Sequence, residues 1–140
     1  MDKIQIAKEK AMKLAAAKGL ALQRVEKRIY AVDRVLKYYF VSESDSFDSL
    51  WEDASQALEK GDLKVCKKET PQTERDKLRE AAIELGISKK GLALFHRGNE
   101  LWGYDKEGKS YMILAIEEDV IPDERPSEEI WMRALEILQI

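Results

Sequence analysis

The side chains best suited to catalysis are scarce in this chain. His96 is the only histidine and Cys66 the only cysteine among 140 residues. A nucleophilic serine or cysteine needs a base such as histidine beside it, and a zinc site needs several histidine or cysteine ligands. The single histidine and the single cysteine lie in different segments, so neither arrangement is complete. We therefore expect no catalytic residue, no metal site, no cofactor and no enzyme activity, with His96 a surface residue near a turn.

Residues 103–110, GYDKEGKS, match the phosphate-loop pattern G-x-x-x-x-G-K-[ST]. In a nucleotide site a helix follows this loop, and backbone N–H groups bind the phosphates. Here the following residues are YMILAI, which are typical of a strand, and Asp105 and Glu107 add negative charge to the loop. The pattern therefore indicates a hairpin turn, and a nucleotide-binding enzyme is a remote alternative.

Residue types that dominate protein interfaces are found in the second half of the chain. Arg97, Trp102 and Tyr104 fall in or beside neighbouring predicted strands, and these three types are enriched at interface hot spots. Glu128 and Glu129 open the last predicted helix, where the helix dipole favours carboxylates. We expect these five residues to contact a partner protein. The alternative for Trp102 is core packing.

The longest stretch with strand composition is residues 24–41, RVEKRIYAVDRVLKYYFV. Its β-branched and aromatic residues favour strands, and residues 33–34 are the only turn candidate inside it. With a two-residue turn there, the predicted opposing pairs are Arg28 with Tyr39 and Tyr30 with Lys37. Bases stack on aromatic rings and phosphates contact cations in many nucleic-acid sites. This face is therefore a nucleic-acid candidate, and the alternative is that a helix covers it.

Hydrophobic periodicity and turn residues predict an α+β fold in a single domain, residues 1–140. A capping-box pattern, Thr73 followed by Asp76, marks the start of one helix. In chain order we expect helix, hairpin, helix and strand in a basic half, residues 1–70. A helix, a three-stranded antiparallel meander and an acidic C-terminal helix follow in residues 71–140. No internal repeat is expected.

The net charge of −3 is unevenly distributed along the chain. Residues 1–40 hold ten basic against four acidic side chains, whereas residues 111–140 hold two against eight. A basic front and an acidic back either attract two different partners or attract each other in the fold. No apolar run approaches the roughly 20 residues of a membrane span, and the first residues lack a signal-peptide core. We therefore expect a cytoplasmic protein that has no membrane partner.

A family resemblance covers residues 6–69. It consists of an Ala/Lys-rich helix, Gly19-Leu20, a strand ending in YAVD, a second strand with LKYYF, a helix opened by SFDSL and a short third strand. This order resembles the C-terminal domain of the yeast suppressor-of-polymerase-alpha family. Its bacterial members are regulatory factors in sporulation signalling and ribonuclease Y-dependent mRNA processing, and they act through protein partners without catalysis. The family's closing Gly-Val-Arg-Asp element is absent here. The cysteines with which some members hold iron–sulfur clusters are also absent, so the resemblance implies no cluster.

Together these features predict a non-catalytic regulatory or inhibitory protein that binds another protein. The expected partner is a nucleic-acid-handling enzyme such as a polymerase or a nuclease, in transcription or RNA metabolism, because a small acidic protein can occlude a basic enzyme. The alternative is RNA or DNA association through the basic N-terminal half. Neither the partner's identity nor the oligomeric state follows from the sequence.

Overall fold

The structure is a computed structural model that describes residues 3–61, 63–68, 73–97, 100–115 and 128–139. These residues form four α-helices and seven strands in two antiparallel sheets, which confirms the predicted α+β class and the three-stranded meander. The helices are α1 Lys3–Ala17, α2 Phe47–Lys60, α3 Glu74–Leu85 (continued by a π-helical turn, Gly86–Lys90) and α4 Glu128–Leu138. The strands are β1 Ala21–Val25, β2 Arg28–Val32, β3 Tyr38–Glu43, β4 Lys64–Cys66, β5 Ala93–Arg97, β6 Glu100–Tyr104 and β7 Ser110–Ala115.

The first sheet has the strand order β1-β2-β3-β4, and the second has the order β5-β6-β7. β1 is a strand that the sequence analysis missed. It pairs with β2 across a tight turn in which Val25 faces Arg28. This turn contains no glycine, and Glu26 adopts a positive φ of 54° instead. A tight hairpin turn needs such a backbone, but a glutamate gives no sign of it in the sequence.

The predicted register between β2 and β3 is wrong. Val32 faces Tyr38, Tyr30 faces Phe40 and Arg28 faces Glu43, with an irregularity between Ile29 and Tyr30. The connection is a loop over residues 33–37, because Asp33 Oδ1 accepts hydrogen bonds from the N–H groups of Val35 (3.0 Å) and Lys37 (2.9 Å). An aspartate that binds its own loop in this way favours a longer turn than the two-residue one.

The two halves of the chain interlock. α2 packs against β2 and β3 of the first sheet, and α4 packs against β7 of the second. The first helix of each half reaches the other half's sheet, since α1 contacts β5 and β6 while α3 contacts β1. Side-chain interactions between the two halves stabilise this packing. Tyr38 in β3 donates a hydrogen bond to Glu84 in α3 at 2.7 Å, and Arg97 in β5 forms an ion pair with Glu9 in α1. Each sheet therefore packs partly against the first helix of the other half.

The two halves also repeat one structural unit, which corrects the expectation of no internal repeat. The strands and loops of the two halves align in sequence without a gap. Ala21 corresponds to Ala93, Leu22 to Leu94, Asp33 to Asp105, Lys37 to Lys109 and Tyr39 to Tyr111. Asp105 Oδ1 accepts from the N–H groups of Glu107 (2.9 Å) and Lys109 (3.0 Å), just as Asp33 does in its own loop. The Tyr39 hydroxyl donates to Asp33 Oδ2, and the Tyr111 hydroxyl donates to Asp105 Oδ2, each at 3.0 Å.

The repeat extends to the helix that follows each set of strands. In α2 and α4 the same pattern of residues is buried, namely Leu50, Trp51, Ala54 and Leu58 in the first half and Ile130, Trp131, Ala134 and Leu138 in the second. Both tryptophans therefore belong to the core, at the spacing of the buried face of an amphipathic helix. The repeat is hard to see in the sequence because few positions are identical and because α2 and α4 are shifted relative to the strands.

Candidate functional site

The four nucleic-acid candidates do not form the predicted face. Tyr30 is buried, and its ring lies edge-on to Phe40 with the ring centroids 6.2 Å apart. Arg28 faces Glu43 and pairs with it, Nε to Oε1, at 3.3 Å. Lys37 lies exposed in the loop, and the half-buried Tyr39 binds Asp33 through its hydroxyl. The predicted alternation of cations and stacking rings depended on the predicted register between β2 and β3. Because that register is wrong, the alternation is absent.

The protein-interface candidates on the second sheet do lie together, but their exposure differs from the prediction. Tyr104 is buried and stacks on Phe95, with centroids 4.5 Å apart. The Arg97 guanidinium lies 5.2 Å from the Trp102 ring centroid, and the Trp102 indole donates to Glu100 at 3.1 Å. Most of this group is therefore engaged within the protein.

The acidic candidates lie at the start of α4. Glu128 is exposed, and Glu129 forms an ion pair with Arg133 one turn further along the helix, at 2.6 Å. Pairs at this spacing on an exposed helix contribute little to stability. These two residues remain available at the surface.

The phosphate-loop match is a hairpin. Residues 103–110 run from the end of β6 through a loop to the start of β7, and a strand follows where a nucleotide site needs a helix. Burial alone would raise the pKa of Asp105. Hydrogen bonds from the Lys109 N–H, the Tyr111 hydroxyl and the Glu107 N–H outweigh it and lower that pKa. The loop therefore binds its own carboxylate, and the nucleotide interpretation is wrong.

His96 is not the surface turn residue that the sequence suggested. It lies in β5, partly buried, with Nε2 at 2.8 Å from Nζ of the buried Lys8. Burial, followed by the charges of Lys8, Arg79 and Arg24, lowers the pKa of His96 well below its usual value. The imidazole is therefore neutral at pH 7, and its Nε2 accepts a hydrogen bond from the Lys8 ammonium.

The outer edge of β7 is an unpaired edge of the second sheet within the described residues. Among the described residues, β7 pairs only with β6, whereas the equivalent strand β3 pairs on its outer side with β4. β7 has the sequence SYMILA, without a charged residue. Tyr111 is 47% exposed and Met112 is 54% exposed. Proteins usually protect such edges with charges, proline or a covering segment.

The helix that packs against this strand adds further apolar surface. α4 contacts β7, and it carries the exposed side chains Met132 and Ile137. Sequence reasoning predicted β7 as a strand and α4 as a helix but did not identify this surface. The signal it could have used is the lack of charge in residues 110–115, yet that signal acquires meaning only when the strand is known to lie at an edge.

Comparisons with protein-family models, with curated proteins and with solved structures found no match. The resemblance of residues 6–69 to the suppressor-of-polymerase-alpha family therefore stays a prediction. Within the described ranges, no group of three or more histidine, cysteine or acidic side chains could hold a metal ion. No helix in the same ranges is long and apolar enough to cross a bilayer.

Proposed function

We propose that this chain is a non-catalytic regulatory or inhibitory protein that acts by binding another protein. The partner adds an extended segment to the outer edge of β7. A single observation supports this most directly: β7 is an uncharged edge strand with Tyr111 and Met112 exposed, while the equivalent edge in the first half is covered. Addition of a strand satisfies the backbone groups of the edge and is a common mode of peptide recognition.

The first half indicates what kind of segment fits. β4 runs antiparallel to β3, and it places Val65 opposite Tyr39, the residue equivalent to Tyr111. β4 also places Lys64 opposite Phe40, the residue equivalent to Met112. The partner segment is accordingly an antiparallel strand with a β-branched or apolar residue opposite Tyr111. In the partner's sequence, a long side chain that covers Met112 precedes that residue, as Lys64 precedes Val65.

The class of partner rests on charge and on the family resemblance. The acidic balance of residues 111–140 suits a basic protein surface, and nucleic-acid-handling enzymes such as polymerases and nucleases have such surfaces. Occlusion of such a surface accounts for a regulatory or inhibitory action without catalysis. Any contact with nucleic acid is then made by the partner protein.

The test compares capture from host lysate by the wild-type chain and by Tyr111→Lys/Met112→Lys. Lysines on an edge strand oppose strand addition, so we expect the double variant to lose roughly tenfold or more of the captured protein. Val65→Lys is the matched control, because Val65 is 58% exposed on the short edge strand β4 of the other sheet. It should capture the partner as well as the wild type does, after nuclease treatment and at high salt.

Three outcomes contradict the proposal. Equal capture by the folded double variant would show that β7 is not the contact. Recovery of nucleic acid alone, lost as salt rises, would favour the basic N-terminal half, because phosphate contacts weaken steeply with salt. Light scattering that shows a dimer, broken by the same substitutions, would assign the edge to a second copy of this chain.

A further inference from the structure

A small cavity of about 40 Å³ lies where the two halves meet, and its wall is basic. Side chains from both halves line it, including Lys8 of α1, Arg24 of β1, Arg79 of α3 and His96 of β5. Among the described residues, no carboxylate lines it. One buried water molecule needs roughly 10–15 Å³ of cavity volume, so this cavity has room for a group of several heavy atoms.

Two hydrogen-bond donors in the wall have no acceptor among the described protein groups. Trp51 and Trp131 both line the cavity, and each is only 1% exposed. The indole N–H of each is buried without a hydrogen-bond partner. A buried donor that makes no hydrogen bond carries a desolvation cost, so it needs an explanation at these two equivalent positions of the repeat.

We propose that this cavity binds a small oxyanion, a phosphate or carboxylate group of a low-molecular-weight ligand. Lys8 is only 3% exposed, and its Nζ lies 5.8 Å from the centroid of the Trp51 ring. An oxyanion here accepts charge-assisted hydrogen bonds from the ammonium and further ones from the two indoles. Its negative charge also offsets the repulsion among the cations that surround it.

Two carboxylates, Asp76 and Glu80, contact residues that line the cavity. Asp76 pairs with Arg79 through Nη2 at 3.3 Å and compensates part of the cavity's positive charge. Gln23 lines the cavity and donates to Glu80 at 3.5 Å, and Glu80 is itself paired with Lys68 at 2.5 Å.

His96 provides a further sign of the net field in the cavity. Its pKa is lowered by burial and then by Lys8, Arg79 and Arg24, so the site disfavours an added proton. A bound anion raises the pKa of His96 again, and by linkage protonation of His96 strengthens anion binding.

The experiment titrates the full chain with inorganic phosphate and, in a second arm, with acetate, against chloride at equal ionic strength. The readout is the indole region of a nitrogen–proton NMR spectrum, with Trp102→Phe to identify the Trp102 signal and thereby separate it from those of Trp51 and Trp131. We expect saturable shifts of the Trp51 and Trp131 signals and none for Trp102, whose N–H already binds Glu100. The arm that saturates at the lower concentration distinguishes a phosphate group from a carboxylate.

Lys8→Met keeps the aliphatic stem and removes the charge, so it should weaken binding roughly tenfold. Lys10→Met is the matched control, because Lys10 lies on the same helix but is exposed and pairs with Glu59. It should bind as the wild type does. Absence of saturable indole shifts in both arms, equal shifts of all three indoles, or unchanged affinity in Lys8→Met would each overturn the proposal. The NMR titration decides the matter even if Lys8→Met fails to fold.

Discussion

At the scale of single residues, Asp33 and Asp105 have the same role. Each carboxylate accepts two backbone N–H groups of its own loop with one oxygen and a tyrosine hydroxyl with the other. This arrangement sets the length of the loop and thereby the register of the strands that it joins. A register error of one residue would turn every side chain of β3 or β7 to the opposite face.

Asp105→Ala should lower the thermal unfolding midpoint by a few degrees at pH 7, because it removes three hydrogen bonds. Asp105→Asn should lower it less, since the amide oxygen still accepts from the backbone. The pKa of Asp105 is lowered in the fold, so its stabilisation is present above the unfolded pKa, near 4, and is lost as pH falls through the folded pKa. Thermal melts from pH 7 to pH 2 check both points. A wild-type advantage over Asp105→Ala that stays constant down to pH 2 would contradict this role.

The loop chemistry also shows where prediction from sequence fails. Asp105 was predicted to lie in a turn, and Gly108 in the same turn adopts a φ of 85° that suits glycine. The equivalent position in the first half is Leu36, which has a φ of 65° without that freedom. A leucine gives no turn signal, so a loop of the same shape was predicted with the wrong length.

At the scale of elements, the helices were the most predictable because their signals are local. Thr73 Oγ1 accepts from the Asp76 N–H at 3.1 Å, as the capping-box pattern predicts. α2 ends at Gly61, which adopts a left-handed φ of 72°. These features need only a few neighbouring residues, so the sequence alone is sufficient to place them.

The edges of the sheets were not predictable in the same way. β3 and β7 occupy equivalent positions, but only β3 has a further strand, β4, on its outer side within the described residues. Whether a strand lies at an edge depends on contacts between distant segments, and the strand's own residues do not reveal it. The proposed partner site and the corrected nucleic-acid face both follow from pairings of this kind.

At the scale of the whole molecule, the interlocked halves should depend on each other. A fragment of residues 1–70 keeps its strands but loses α3, which contacts β1 and binds Tyr38 through Glu84. We therefore expect this fragment to show a poorly dispersed NMR spectrum, and mixing with residues 71–140 to restore dispersion. A well-dispersed spectrum of the isolated fragment would show that each half folds independently and would contradict the dependence.

The basic cavity belongs to this scale as well. Its lining comes from both halves and includes Trp51 and Trp131. Their burial was predictable from helical spacing, but their approach to Lys8 and His96 depends on how the halves interlock. No local pattern indicates such an arrangement, so an oxyanion site could not be predicted from the residues alone.

The central claim is strand addition at β7, and amide hydrogen exchange of the complex with the captured partner tests it most directly. Residues 110–115 are compared with and without the partner, and residues 64–66 of β4 act as the internal control. We expect alternate amides of β7, those directed away from β6, to exchange roughly tenfold or more slowly in the complex, while the amides of β4 are unchanged. Unchanged exchange in β7, with protection elsewhere, would contradict it.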